Sequence, residues 1–187
     1  DSQIAISGMG SHSVFTHLYI NGLYFGLYNI AERPDEKFMA SYLGGDLEEY
    51  YSINHGGTVS SDSSLWNDTI ASALRDLQQL ERYQAIQERI EIDAYCDYLI
   101  LNWLAGMGDW PHNNFYGGMR VVSAGKIRDF AWDSEYAFWT IDGYLGSNPN
   151  AWVHPDFDGG GNTLPEIWSA LSTNEDFLMT FADRVAK

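Results

Sequence analysis

The chain has little positive charge. Its 187 residues include 10 lysines and arginines against 26 aspartates and glutamates, which gives a formal net charge of −16. A surface this negative repels the phosphates of nucleic acids and anionic lipid head groups, so we expect neither nucleic acid nor a membrane as a partner. Metal cations and basic polypeptides remain as favourable partners.

Cysteine and long apolar runs are also scarce. The only cysteine, Cys96, lies in an apolar segment and is expected to be buried, so the chain has no internal disulfide framework. That segment is interrupted by Asp97 and Asn102, and no run is long enough to span a bilayer. The absence of disulfides does not identify the cellular compartment, because a large core is stable without them in reducing and in oxidising surroundings.

The residues that are present favour one α+β domain. A content of 45% hydrophobic and 15% aromatic residues is enough for a packed core. The segment FTHLYINGLYFGLY predicts a β-hairpin whose turn is Asn21-Gly22, with Ile20 paired to Leu23. The segments NFYGGMRVV and KIRDFAWD predict a second antiparallel hairpin.

Helices are predicted around these hairpins. One begins at Pro34, which suits the first helical position, and ends at Gly44-Gly45. Another lies within DAYCDYLILNWLAG, with Leu104 among its inward residues and Gly106 as its end. One or two helices are predicted in LPEIWSALSTNEDFLMTFADRVAK.

The stretch GMGDWPHNNFYGGMR, residues 106–120, places acid and amide side chains between two glycine pairs. If Val122 pairs with Ile127 in the second hairpin, Arg120 faces Asp129. The same register gathers polar residues at the other end of the ladder, namely Asn114, Asp133 and Glu135, with Asp109 just before the first strand. Clustered carboxylates repel one another, so this arrangement favours a bound cation.

The spacing within this cluster matches that of protein kinases. There a catalytic-loop aspartate is followed five positions later by a metal-binding asparagine, then by a hairpin and a second metal-binding aspartate. Asp109 and Asn114 have that separation, and Asp133 follows the hairpin.

Three segments resemble the CotH (spore-coat protein H) kinase family, an atypical branch with a protein-kinase-like fold. They are LYINGLYFGLYNIAERPDEKF, GDWPHNNFY and FAWDSEYAF, and the tail LSTNEDFLMTFADRV resembles the family's C-terminal helix. The resemblance covers nearly the whole chain. It implies a two-lobed fold, with residues 1–60 resembling the small lobe and 61–187 the large lobe of a single domain, 1–187.

The resemblance also implies a function. It predicts Mg²⁺ and ATP as cofactors and phosphate transfer to serine or threonine of a secreted, surface or spore-coat protein, with a basic substrate favoured by the acidic surface. Asp109 would act on the acceptor hydroxyl, while Asn114 and Asp133 would hold magnesium. Glu135 replaces the second aspartate of the family's WD-x-D motif and is assigned to the metal.

The same resemblance assigns Glu32 to the nucleotide as a structural or pocket acid. A kinase also needs a cation besides magnesium near the phosphates, and the candidates are Arg33 and Lys37, for which a solvated surface charge is the alternative. Family members continue upstream with basic residues that meet phosphate. We therefore expect this chain to be a truncated piece of a longer protein, whose N-terminal part supplies them. An extracellular, cell-surface or spore-coat location is expected.

Two other functions remain open. Seven tryptophans, twelve tyrosines and strong acidity are compatible with a catalytically inactive adhesive or glycan-binding module on the same fold. A glycosidase could use two of the clustered acids, although the asparagines suit metal coordination better. The segment DFDGGGNTLPE lacks the ligands of a calcium loop at its fifth and twelfth positions and is predicted to be a flexible loop.

Overall fold

A computed structural model describes residues 2–54, 57–58, 64–73, 75–107, 110–111, 113–121, 125–137 and 163–187. The helices are α1 (Ser2–Ser7), α2 (Glu36–Leu43), α3 (Ser64–Ala73), α4 (Leu80–Gln87), α5 (Ile92–Ala105), α6 (Thr163–Leu171) and α7 (Glu175–Val185). The strands are β1 (Ser13–Ile20), β2 (Leu23–Ala31), β3 (Tyr50–Asn54), β4 (Gly57–Thr58), β5 (Phe115–Arg120) and β6 (Arg128–Ala131). The predicted α+β class is confirmed.

Strands β1 and β2 form the predicted first hairpin. Ile20 pairs with Leu23, and the turn residues Asn21 and Gly22 both have positive φ, as a type I′ turn requires. The predicted register holds for the next pair, Tyr19 with Tyr24, and then fails, because Leu18 pairs with Gly26 and Phe25 is an extra residue. This is a β-bulge, and Gly26 adopts φ 130° beside it.

The second sheet has four strands in the order β4-β3-β5-β6, all antiparallel. Helix α5 packs on this sheet and against α7. The main core lies among these elements and includes Tyr95, Cys96, Leu99, Trp110 and Phe177, each nearly inaccessible to solvent. Burial of Cys96 is as predicted.

The predicted register of the second hairpin is wrong by three residues. Phe115 pairs with Ala131 and Gly118 with Arg128. Ile127 is not available to β5, because its backbone N–H donates to Arg89 and its carbonyl accepts from Glu91.

The expected cross-strand ion pair between Arg120 and Asp129 is therefore absent. Asp129 lies opposite Gly117, whereas the Arg120 guanidinium donates to the carboxylate of Glu49, with a 2.8 Å bond from Nε. The expected pairings of Tyr116 with Asp133 and of Asn114 with Glu135 are lost in the same shift, since Tyr116 pairs with Phe130.

Two helix predictions also need correction. Helix α2 begins at Glu36 rather than Pro34, because the carboxylate of Asp35 caps it by accepting from the backbone N–H groups of Lys37 and Phe38. In α5, Leu104 is exposed rather than inward. The helix ends at Gly106, whose left-handed backbone (φ 60°) gives the predicted stop.

A smaller apolar cluster lies between α2 and the four-stranded sheet. It consists of Phe38, Met39, Tyr50, Tyr116 and Phe130. The hydroxyl of Ser52 on β3 also donates to the carboxylate of Glu36 at 2.7 Å. These contacts fix α2 on the face of the sheet.

No helix within the described ranges is long and apolar enough to cross a membrane.

Candidate functional site

The site residues on the second hairpin lie at the end of the β5–β6 ladder that is away from its turn. Asn114 immediately precedes β5, and Asp133 follows β6 by two residues. The terminal pair of the ladder is Phe115 with Ala131. Thus Asn114 and Asp133 lie at the same end of the sheet even though the predicted register is wrong.

Both residues have a left-handed backbone, with φ 57° at Asn114 and φ 53° at Asp133. Among the described residues, the only other non-glycine residue with positive φ is the hairpin-turn residue Asn21. Residues in this region cost conformational energy and concentrate at functional sites. One such residue lies beside each strand at the same end of the ladder. We therefore identify this end of the sheet as the candidate functional site.

The side chains at this end differ in accessibility. Asn114 is buried, with 7% of its surface exposed, whereas Asp133 and Glu135 are exposed. Glu135 lies in a short 3₁₀ helix, Ser134–Tyr136, which Asp133 immediately precedes. The arrangement therefore pairs a buried amide with two accessible carboxylates on an adjoining turn.

Asp109 and His112 lie outside the described residues, but their neighbours are anchored in the core. Met107 follows the end of α5 and is buried, and Trp110 is fully buried. The indole N–H of Trp110 donates to the Tyr98 hydroxyl at 2.7 Å. The Trp110–Pro111 peptide bond is cis. Neither this hydrogen bond nor the cis bond could be predicted from the sequence.

The three residues assigned to the nucleotide lie where β2 joins α2. The Glu32 carboxylate accepts from the backbone N–H of His12 at 3.0 Å and from the hydroxyl of Tyr42 at 2.9 Å. The His12 backbone N–H lowers the pKa of Glu32, with smaller contributions from the His12 ring and Tyr42. Glu32 thus links the base of the first hairpin to α2. Arg33 and Lys37 are exposed and form no ion pair with a described residue.

The small apolar cluster connects the two groups of site residues. Phe38, next to Lys37, packs edge-on against Phe130 with ring centroids 5.5 Å apart. Tyr116 packs in the same way against Trp132, which precedes Asp133, at 5.3 Å. The β2–α2 junction and the end of the β5–β6 ladder therefore flank one packed cluster.

Gln3 holds β6 next to Asp133. Its side-chain amide donates to the carbonyl of Asp129 at 2.8 Å and accepts from the N–H of Ala131 at 3.0 Å. It therefore pairs with β6 as a neighbouring strand would. The sequence provides no periodic signal that could predict this contact.

Asp129 is a buried acid that the sequence assigned to an ion pair. Its two carboxylate oxygens have no hydrogen-bond partner among the described residues. Burial raises the pKa of Asp129 to about 7. Burial raises the pKa values of Tyr95 and Tyr98, and the charge of Asp129 raises them further.

The donor atoms at the ladder end fit a hard divalent cation. Mg²⁺ prefers oxygen ligands and is usually bound through one or two carboxylates, with water and phosphate completing its shell. Asn114 offers an amide oxygen, and Asp133 and Glu135 offer carboxylates. The described part of the chain contains no group of three or more histidine, cysteine, aspartate or glutamate side chains placed to hold a metal. The fit therefore rests on two acids and one amide.

Comparison with protein families finds a match to the family described as CotH kinase protein over residues 5–185. The chain belongs to this family. Membership in the CotH kinase family indicates a kinase-like function, with nucleotide and metal use and a protein substrate. The family is associated with spore-coat proteins. A search of curated proteins finds no match to the chain.

Proposed function

We propose that this CotH kinase family member binds Mg-ATP and transfers the γ-phosphate to serine or threonine of a secreted, surface or spore-coat protein. The observation that carries the proposal is the placement of Asn114 and Asp133. Both have left-handed backbones at one end of a two-strand ladder. In protein kinases a metal-binding asparagine and aspartate flank a hairpin in the same order.

The residues have separate roles in this proposal. Asn114 and Asp133 hold magnesium, and Glu135 adds a second carboxylate on the same turn. The metal, when bound, neutralises charge that develops on the phosphates. Asp109 orients the acceptor hydroxyl and takes its proton as the new oxygen–phosphorus bond forms and ADP leaves. Arg33 and Lys37 are the candidate phosphate-binding cations, and Glu32 positions the segment that carries them.

A two-lobed arrangement is part of the same proposal. The β1–β2 hairpin forms a sheet of its own, separate from the four-stranded sheet. We assign this hairpin to the small lobe that covers the nucleotide. Strand β3, although within residues 1–60, pairs with β5 of the other part. The substrate is a basic protein, because the chain carries a net charge of −16.

Calorimetric titration with ATP, in the presence and absence of Mg²⁺, tests the binding step. We expect magnesium-dependent binding that Asp133→Ala abolishes and that Asp183→Asn, which removes an exposed acid of α7, leaves unchanged. ATP binding that does not depend on magnesium, or that is retained in Asp133→Ala, contradicts the proposed site. Transfer of labelled γ-phosphate to a basic, serine-rich protein should be lost in Asp109→Ala.

One observation favours an adhesive or glycan-binding function as a second candidate. Tyr19, Tyr24 and Tyr28 of the first hairpin are 63%, 54% and 46% exposed, respectively. Such aromatic surfaces can stack against ligands. The double variant Tyr19→Ala/Tyr24→Ala would abolish cell or glycan binding under this candidate and leave magnesium-dependent nucleotide binding intact.

A further inference from the structure

A pocket of about 240 Å³ lies at the turn end of the β5–β6 ladder. Arg120 ends β5 and Arg128 begins β6, so the pocket is opposite the end that carries Asn114. Six residue steps along β5 separate Asn114 from Arg120, or about 20 Å. The pocket is therefore separate from the proposed nucleotide site.

Positive charge is concentrated in this pocket. Arg120, Lys126 and Arg128 line it, which is three of the ten basic residues of a chain with net charge −16. Among the described residues, Glu91 is the acid in the lining, Glu49 binds Arg120 from beside it, and Asp46 also acts on the Arg120 charge. Counting these three acids, the group has a net charge of 3 − 3 = 0. On a protein with net charge −16, a locally neutral group with three cations repels an anionic ligand less than the acidic surface does.

The cations have donors left for a ligand. Arg128 approaches Glu91 only to 3.8 Å, too far for a hydrogen bond. Arg120 uses Nε and Nη2 for Glu49, while its Nη1 makes no hydrogen bond to a described residue. Lys126 forms no ion pair within the described ranges.

The rest of the pocket is apolar and tightly built. Its wall includes Met39, Leu43 and Tyr50. The Arg120 guanidinium lies 5.9 Å from the centroid of the Tyr50 ring, which fixes its direction. Gly125 approaches the backbone so closely that a Cβ there would lie 1.8 Å from the Arg120 carbonyl oxygen. Only glycine can therefore close the wall at this point.

We propose that this pocket binds a phosphomonoester group carried on an aromatic or aliphatic body. Three cationic side chains match the three terminal oxygens of a phosphomonoester better than the two oxygens of a carboxylate, and a phosphomonoester carries a charge of about −1.5 to −2 at pH 7. The apolar wall contacts the body of the ligand. The volume holds about eight waters by their share of liquid volume, enough for one such group.

Calorimetry with phenyl phosphate as the probe, in EDTA and without nucleotide, tests the proposal. We expect Lys126→Gln and Arg128→Gln each to weaken binding about tenfold, since each removes one charged contact. The matched control Arg82→Gln, on the exposed face of α4, should change the affinity for phenyl phosphate less than twofold. Equal binding to the wild type and both pocket variants overturns the proposal, as does no binding to the wild type.

Two further arms identify the ligand and the location. Inorganic phosphate should bind at least about fivefold more weakly than phenyl phosphate because it lacks the apolar body. Benzoate should bind more weakly still, because its carboxylate has two oxygens instead of three and a smaller charge. Equal affinities overturn the assigned ligand class. Phenyl phosphate binding should be unchanged in Asp133→Ala, whereas its loss there would place the probe at the nucleotide site. Failure of magnesium-dependent ATP binding would leave these expectations unaltered.

Discussion

The indole N–H of Trp110 donates a 2.7 Å hydrogen bond to the hydroxyl of Tyr98, and both side chains are completely buried. The bond joins the segment that follows α5 to the body of that helix. Since Trp110 is the residue next to Asp109, the helix also supports the stretch that carries the proposed catalytic aspartate. Loss of the bond is therefore expected to affect both stability and function.

Tyr98→Phe removes the acceptor without changing the ring. The free energy of unfolding should fall by about 1–3 kcal/mol, because a buried donor loses its partner. Urea denaturation measures this change. Tyr24→Phe is the matched control, since its hydroxyl bonds to His17 on the exposed first hairpin. It should cost less than about 0.5 kcal/mol. Equal effects of the two variants would contradict the role of the Trp110 bond.

Asp133 allows backbone and side-chain roles to be separated. Because its φ is 53°, glycine fits the backbone whereas alanine is strained there by about 1–2 kcal/mol. The free energy of unfolding of Asp133→Gly should therefore lie within about 0.5 kcal/mol of the wild-type value. The free energy of unfolding of Asp133→Ala should be lower. Both should lose magnesium-dependent ATP binding, since both lack the carboxylate. Retained binding in Asp133→Gly would show that the carboxylate is not a metal ligand.

Asp129 should make stability depend on pH. Burial raises its pKa to about 7 from 3.8, so the folded state holds a proton that the unfolded state releases between these values. Stability should therefore decrease as pH rises from about 4 to about 7 and remain at the lower level above it. At about 1.4 kcal/mol per pKa unit, the full change is on the order of 4 kcal/mol.

The variant Asp129→Asn isolates this effect. The difference in unfolding free energy between wild type and variant should change across pH 4–7 and be constant above it, with the variant favoured at pH 8. Asp183→Asn, also the loss of one acid, controls for the net charge. A wild-type-minus-variant difference that does not vary with pH would contradict a protonated Asp129. The groups that face this carboxyl are Tyr95 and Tyr98 of α5.

Arg184 of α7 should stabilise the fold through its ion pair with the Asp97 carboxylate. Its Nε donates to the Asp97 carboxylate at 2.7 Å, and Asp97 is only 3% exposed. Arg184→Gln leaves this acid buried without its charge partner and should cost about 3–5 kcal/mol. The double variant Arg184→Leu/Asp97→Leu should recover most of that loss in urea denaturation. Equal losses for the single and double variants would contradict this explanation.

A side chain at Gly118 should destabilise the fold by displacing Met39. A Cβ at this position would lie 2.3 Å from the Met39 methyl carbon, and Met39 is almost inaccessible. Gly118→Ala should destabilise the fold by about 1–3 kcal/mol through overpacking. Met39→Ala introduced together with it should cost less than the sum of the two single variants, as a double-mutant cycle would measure.

The sequence predicted the elements better than their alignment. Asn21-Gly22 determined the first turn and the adjacent pair, because few other dipeptides tolerate positive φ at both positions. The bulge at Phe25 could not be predicted, since apolar and aromatic residues occupy successive positions of LYFGLY and leave no alternation that would reveal a slip of one residue. The three-residue shift between β5 and β6 arose from contacts of Ile127 with residues 89–91, which are distant in sequence.

The candidate site was less sensitive to this error than the strands were. Asn114 and Asp133 lie outside the paired residues, so a shift of three positions leaves both at the same end of the ladder. Asp129 was misassigned because the predicted register supplied an arginine partner. The support of β6 by Gln3 depends on a residue about 130 positions away and could not be inferred from local sequence.

The first hairpin has a consequence for handling the protein in solution. Residues 13–31 contain no lysine, arginine, aspartate or glutamate, and most of their large apolar side chains are exposed. At neutral pH, repulsion between copies with net charge −16 should oppose contact between these surfaces. Near the isoelectric point of about 4.3 that repulsion vanishes, and light scattering should show self-association that Phe15→Lys/Leu23→Lys reduces. We therefore expect the acidic residues elsewhere on the chain to maintain the colloidal stability of this uncharged hairpin.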